Sequence, residues 1–99
     1  MRSVLMVCHG NICRSPMAEF IMKDLVEKAG LSQEIFVSSA AMTSEEVGND
    51  MYPPAKRMLT AMGVPFEKRK ARRMTKVDYE ENDIIIGMDE ENWRHLLLL

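Results

Sequence analysis

Several things are scarce in these 99 residues, and each shortage narrows what the chain can be. There are two cysteines. Cys8 and Cys13 lie too close together to build a disulfide framework, which points to a reducing, cytoplasmic setting. No stretch of about twenty apolar residues occurs, which argues against a membrane span. The amino terminus has one arginine and only a short apolar run, a poor match to a secretory signal. Neither sign of charge dominates, with 13 Lys and Arg against 15 Asp and Glu. That balance gives no footing for nucleic-acid or membrane binding. Repeats, low-complexity tracts and linkers are absent, and a chain of this length allows one core, so a single domain over residues 1–99 is expected. The ten methionines read as flexible core filler rather than as a metal or redox device.

What is present is concentrated in Cys8-His9-Gly10-Asn11-Ile12-Cys13-Arg14-Ser15-Pro16. The apolar run Val4 to Val7 before it predicts a buried parallel strand. Ser15 and Pro16 after it predict a helix start, with serine as the N-cap and proline in the first turn. A loop between a strand and a helix gathers backbone N–H groups and the positive end of the helix dipole onto one point, which is an anion site. Gly10 and Asn11 are expected to supply its left-handed backbone. Cys8 at the edge of such a ring, facing those N–H groups and Arg14, is expected to react as a thiolate. Arg14 could hold two phosphate oxygens in a bidentate fork. Attack on phosphorus by Cys8 would then give a phosphocysteine intermediate.

With the loop in view, the chain resembles the low-molecular-weight protein tyrosine phosphatases, whose signature loop has cysteine, five residues, arginine and then serine or threonine. MAEFIMKDLV resembles the family's first helix, VSSAAMTSEEVG its second strand and following loop, and KARRMTKVDYEENDIIIGMDEENWRHL its third strand and flanks. The resemblance implies an α/β fold, a three-layer α/β/α open parallel sheet with the phosphate loop after the first strand. It implies Cys8 as nucleophile, Arg14 as transition-state clamp, and the N–H groups of His9, Gly10, Asn11, Ile12, Cys13 and Arg14 as the phosphate cradle. Asn11, Ser15 and Ser39 would brace the loop, and Cys13 could form a reversible disulfide with Cys8, although a packing role for Cys13 is equally open. No cofactor is implied.

Metal chelation by Cys8, His9 and Cys13 is disfavoured, since a structural zinc site needs a fourth ligand. His9 reads as a side chain at the pocket mouth rather than a base. Within the wider family, isoleucine after the loop asparagine goes with phosphotyrosine and threonine with phosphoarginine, so Ile12 favours a phosphotyrosine protein or small aryl phosphate as substrate. Where an aromatic rim residue is common the chain has Glu45, and a carboxylate there would select against acidic substrates. Where a histidine is common it has Arg69. The basic cluster Lys68, Arg69, Lys70, Arg72, Arg73 and Lys76 reads mainly as a solvated face.

The resemblance also implies a general acid on an Asp-Pro pair beyond the MDEEN segment, then a fourth strand and a final helix. No Asp-Pro pair occurs in these residues, so the general acid is unassigned and a truncated form of a longer phosphatase is expected. The Leu96 to Leu99 run would then lack its covering layer, and the third strand would be an edge open to self-association. The alternatives are a non-catalytic oxyanion-binding or self-associating module, a phosphoarginine phosphatase, and an arsenate reductase of the same fold. The lack of cysteine after Cys13 counts against the last.

Taken in order, the pattern predicts strand 2–7, helix 16–29 stopped by Gly30, strand 35–40, and a helix opened by Pro53 and Pro54 and closed by Gly63. A short helix over 76–81 capped by Thr75, a strand from Ile84 and a last helix from about Asp89 follow.

Overall fold

The computed structural model describes residues 2–96. Its elements are β1 (Arg2–Cys8), α1 (Arg14–Lys28), β2 (Ile35–Ala41), α2 (Pro53–Met62), α3 (Lys76–Glu81), β3 (Ile84–Gly87) and α4 (Glu90–Leu96). The three strands form one sheet in the order β2-β1-β3, with both pairings parallel. This is the expected α/β architecture. β1 occupies the middle because its Val4 to Cys8 stretch is apolar on both faces and buried throughout.

Alternation along β1 sorts the core. Val4 and Met6 pack with Val26 of α1 and Val37 of β2, while Leu5 and Val7 point the other way, against Ala40, Met42 and Met74. A third cluster, Phe20, Met51, Ala55, Leu59 and Val64, joins α1 to α2. Several methionines fill gaps at these junctions, as a flexible thioether can. Among the described residues no helix is long and apolar enough to cross a membrane.

The punctuation works as its chemistry suggests at four points. α2 opens on its two prolines and ends at Gly63, whose φ of 72° is left-handed. Thr75 and Asp78 form a reciprocal capping box on α3. Gly30, at φ 73°, follows the last turn of α1 and lets the Leu31 N–H reach back to the Val26 carbonyl. Asp83 introduces β3 by accepting the Ser3 N–H at 2.8 Å, while its own N–H donates to the Ser3 carbonyl.

Three expectations are corrected. α1 begins at Arg14, so Cys13 and not Ser15 is its N-cap, and Cys13 makes no side-chain cap. Ser15 is fully buried and turned inward, where its hydroxyl serves the loop instead of the helix. Gly10 does not take a left-handed φ; of the loop residues only Asn11 does, at 58°. A Cβ at Gly10 would lie 3.2 Å from Cγ of Glu46, a tight contact that the Glu46 side chain would have to relieve by shifting. Leu25, placed on the apolar stripe of α1, is 58% exposed, because at that end of the helix it is the neighbouring Val26 that turns onto the sheet. The run at the carboxyl end, Leu96 to Leu99, concerns side chains outside those described.

Candidate active site

The site is built where β1 ends. Register places Cys8 beside Ala41 of β2 and Val7 beside Gly87 of β3, so the carboxyl ends of all three strands converge on the loop 8–14. The loop is tied to β2's exit by the Met42 and Thr43 N–H groups, which donate to the Cys8 and His9 carbonyls at 2.9 and 3.1 Å. On its other flank the Tyr52 N–H donates to the Ile12 carbonyl at 2.7 Å.

Cys8 is 4% exposed, and its sulfur is met by two polar groups. Ser15 Oγ lies 3.0 Å away, and the Asn11 N–H points at it from 3.3 Å. Asn11 Nδ2 donates to Ser15 Oγ at 2.9 Å, which uses the hydroxyl as acceptor and leaves its own proton able to turn to the sulfur.

Asn11 is the hub of this arrangement. Its amide donates to Ser15 Oγ and to Ser39 Oγ, each at 2.9 Å, and its carbonyl accepts from Arg69 Nη2 and, at 3.2 Å, from the Arg72 N–H. Every hydrogen-bonding position of the carboxamide is therefore used, in a residue with no solvent exposure. That fixes which way the amide faces and holds the strained left-handed backbone. Ser39 in turn donates to Glu19 on α1, whose other oxygen pairs with Lys23.

Arg14 opens α1 and is half-exposed, with Nη2 3.0 Å from Asp89 Oδ2. Asp89 is itself fixed by accepting the Asn92 N–H at 3.0 Å, and Asn92, buried, accepts from the N–H groups of Met88 and Asp89. Those contacts, the Asn92 N–H first and the Arg14 guanidinium second, hold the Asp89 carboxyl below its ordinary range.

A sequence profile of the family described as low molecular weight phosphotyrosine protein phosphatase matches residues 3–99. The chain belongs to this family. It is 44% identical over 98 residues to the human low molecular weight phosphotyrosine protein phosphatase, covering 96% of this chain and 60% of that protein. The crystal structure of YfkJ from Bacillus subtilis superposes with a TM-score of 0.94 at 43% identity, covering 97% of this chain and 60% of that one. The crystal structure of a Drosophila arginine phosphatase superposes at 0.91 with 37% identity, covering 99% of this chain and 60% of that one. The chain thus spans about 60% of the length of the family members it matches.

Within this family member the structure brings Cys8, Asn11, Ser15 and Ser39 together. Cys13 is a free thiol, half-buried against the cluster of Phe20, Met51 and Leu59. His9 sits at the mouth, its Nε2 2.9 Å from Glu45 Oε2. Glu46 lies over Gly10 and accepts from Asn49 Nδ2 at 2.7 Å, so two adjacent carboxylates flank the lip of the loop.

The basic cluster needs correction. Segment 68–70 is irregular, and in it Lys68 and Lys70 are exposed while Arg69 turns in toward Asn11. Arg72 pairs with Asp78 at 2.9 Å and gives its N–H to Asn11, so it is not a free surface charge either. Sequence reasoning also passed over Glu19, Asp89 and Asn92. Asp89 alone carried a usable signal, as a carboxylate at the exit of a strand that had to lie beside β1.

Proposed function

We propose that this chain carries the nucleophile and the phosphate-binding machinery of a protein tyrosine phosphatase. The observation that supports it best is the Cys8 sulfur within hydrogen-bond distance of Ser15 Oγ and of the Asn11 N–H, at the edge of a loop whose N–H groups start a helix. Cys8 as thiolate attacks phosphorus; the S–P bond forms as the P–O bond to the aryl leaving group breaks. The N–H groups of residues 9–14 and the Arg14 guanidinium take up charge on the equatorial oxygens. A water then attacks phosphorus, the S–P bond breaks and the thiolate returns. A phenolate leaving group needs a proton, which general acid catalysis supplies at a gain of about 10² to 10⁴ in rate.

Phosphotyrosine is the proposed substrate class because Ile12, beside Gly10 at the lip, offers an apolar side chain to an aryl ring. The expected result is turnover of p-nitrophenyl phosphate, whose leaving group needs little protonation, and a trappable phosphocysteine. Both should vanish in Cys8→Ser. If wild type and Cys8→Ser were equally inert, and phosphate failed to protect Cys8 from alkylation, the proposal would be wrong.

A second reading is association between copies. Among the described residues β3 is an edge strand with Ile84 and Ile86 exposed. Concentration-dependent sedimentation tests it, and a strictly monomeric chain would remove it.

A further inference from the structure

Four residues of α1, Phe20, Lys23, Asp24 and Glu27, recur at helical spacing and share one face. Opposite them runs the segment after Gly63, where Pro65, Phe66 and Glu67 form the other wall of a groove with a volume of about 260 Å³. Its floor is aromatic and preformed. Phe20 is buried in the cluster that joins α1 to α2, Phe66 packs on the same cluster, and their rings meet edge to face with centroids 6.4 Å apart. The Val64 N–H, bonded to the Leu59 carbonyl at 2.9 Å, ties the start of the segment to the end of α2. None of these residues belongs to the phosphate loop. On a helix rising about 1.5 Å per residue, Phe20 lies about 9 Å and Glu27 about 20 Å along the axis from Arg14.

The charges around the groove do not cancel. Lys23 lies with Nζ 5.4 Å over the Phe20 ring and is paired with Glu19, and Asp24 is paired with Lys28 at 2.9 Å. Glu27 and Glu67 are exposed, and among the described residues neither has an ion-pair partner. An apolar floor with two unneutralised carboxylates at its rim is complementary to a side chain with an apolar stem and a cationic head. Arginine fits better than lysine, since its planar guanidinium stacks on aromatic rings and takes carboxylates in a fork. Lys23 disfavours a second cation beside it and so directs that head toward Glu27 and Glu67. The groove is smaller than the roughly 300–1,000 Å³ of small-molecule sites, which suits one long side chain rather than a whole ligand.

We propose that the groove between α1 and residues 65–67 is a docking site for an arginine side chain of a protein partner: the stem lies along the edges of Phe20 and Phe66, and the guanidinium is held by Glu27 and Glu67. The site goes beyond the phosphatase reading, since binding there needs neither the Cys8 thiol nor a phosphoryl group. It gives a partner a second handhold on this chain, and two weak contacts on one partner together exceed either alone when the intervening segment spans them. The aromatic floor supplies contact area, and the carboxylates supply the choice of partner, because an acidic segment is repelled from the same floor.

The test is a titration of the isotope-labelled chain, followed by its amide resonances, with the peptide acetyl-Ala-Leu-Arg-Leu-Ala-amide at low salt. Companion peptides carry lysine or glutamate in place of the arginine. The arginine peptide should move the resonances of Lys23, Asp24, Glu27, Phe66 and Glu67 with a Kd of about 0.1–1 mM. The lysine peptide should bind about threefold more weakly, and the glutamate peptide should not bind. Glu27→Lys combined with Glu67→Lys should weaken the arginine peptide by about tenfold or more, whereas Glu80→Lys, which reverses an exposed carboxylate on α3, should stay within about twofold. Phe66→Leu, which keeps the cluster filled, should cost about threefold. The reversed carboxylates are exposed, and thermal melting confirms that each variant is folded; should the double variant fail to fold, either single reversal should still cost about threefold. The proposal is overturned if no shifts occur, if they scatter over the surface, if lysine binds as well as arginine, or if Glu80→Lys costs as much as the reversals in the groove. Resonances that move with chain concentration alone would put a second copy in the groove and overturn it too. Because no peptide carries phosphate, a null result here leaves turnover untouched, and a failure of turnover leaves this site untouched.

Discussion

Arg14 Nη2 lies 3.0 Å from Asp89 Oδ2, so the arginine at the start of α1 is held from the side by the turn that follows β3. The pair is exposed, and exposed pairs add little to stability. Its use is orientation: a bidentate grip on phosphate requires the guanidinium plane to be set before the ligand arrives.

Asp89→Asn should therefore lower kcat/KM for p-nitrophenyl phosphate by about tenfold with an unchanged melting temperature, while Arg14→Lys should lose about 10² or more. Steady-state kinetics beside thermal denaturation checks both. An Asp89→Asn enzyme as active as wild type would show that Arg14 is oriented by the loop alone.

Ser15→Ala removes the hydroxyl that stands between Asn11 and Cys8. One amide hydrogen of a fully buried carboxamide loses its acceptor, at a cost of about 1–3 kcal/mol. The sulfur also loses a donor, so kcat should fall by about tenfold or more, beyond what the KM reports. Denaturant unfolding and single-turnover phosphocysteine formation give the two numbers. A variant with full stability and full kcat would show that the Ser15 hydroxyl serves neither the amide nor the sulfur.

The rim at Glu45 and Glu46 should bias substrate choice by charge. Phosphotyrosyl peptides with lysine or arginine beside the phosphotyrosine should be preferred over acidic ones by about three- to tenfold at low salt, with the preference fading at high salt. Glu45→Lys should invert that order while leaving p-nitrophenyl phosphate turnover within about twofold, since a small substrate does not reach the rim. A peptide series at two ionic strengths decides it, and an order untouched by Glu45→Lys would remove Glu45 from specificity.

Acid should find Asp50. The Lys56 ammonium first, against the opposing effect of burial, and then the Met51 and Arg69 N–H groups lower its carboxyl from 3.8 to about 2. The folded chain binds fewer protons here than the unfolded chain between those values, so the stabilisation is full above about pH 4 to 5 and is lost as pH falls through about 2. Asp50→Asn should melt below wild type at neutral pH, and the difference should close near pH 2. Equal melting temperatures across that range would mean that the Lys56 contact contributes nothing. Asp78, lowered because Arg72 and Thr75 outweigh its burial, loses its contribution in the same direction.

The elements were legible in the residues wherever local chemistry decided them. Pro53, Pro54 and Gly63 bound α2, Thr75 and Asp78 bound α3, and the unbroken apolar run of β1 required a central parallel strand. These signals are short-range, because a missing N–H, a left-handed glycine or a capping hydroxyl acts within a few residues of itself. The nucleophile and its loop were legible for the same reason, since Cys8, Asn11 and Ser15 are neighbours in one arc.

What the chain order could not show is which distant side chains that arc would meet. Arg69 looked like one cation in a solvated run, and it turns in while its neighbours are exposed where the chain is tied to Asp50 through the Arg69 N–H and to Asn49 through the Ala71 N–H. Asp89 reaches Arg14 because β3 pairs with β1 in one register, with Gly87 beside Val7, and a slip of one residue would reverse which face each strand residue meets. Gly10 faces Glu46, so a side chain there would press on a residue 36 positions away. The sequence by itself determined the reactive loop and the strand and helix that frame it; the tertiary structure decided its counter-charges and its brace, because those depend on strand register and on long-range packing that no local pattern encodes.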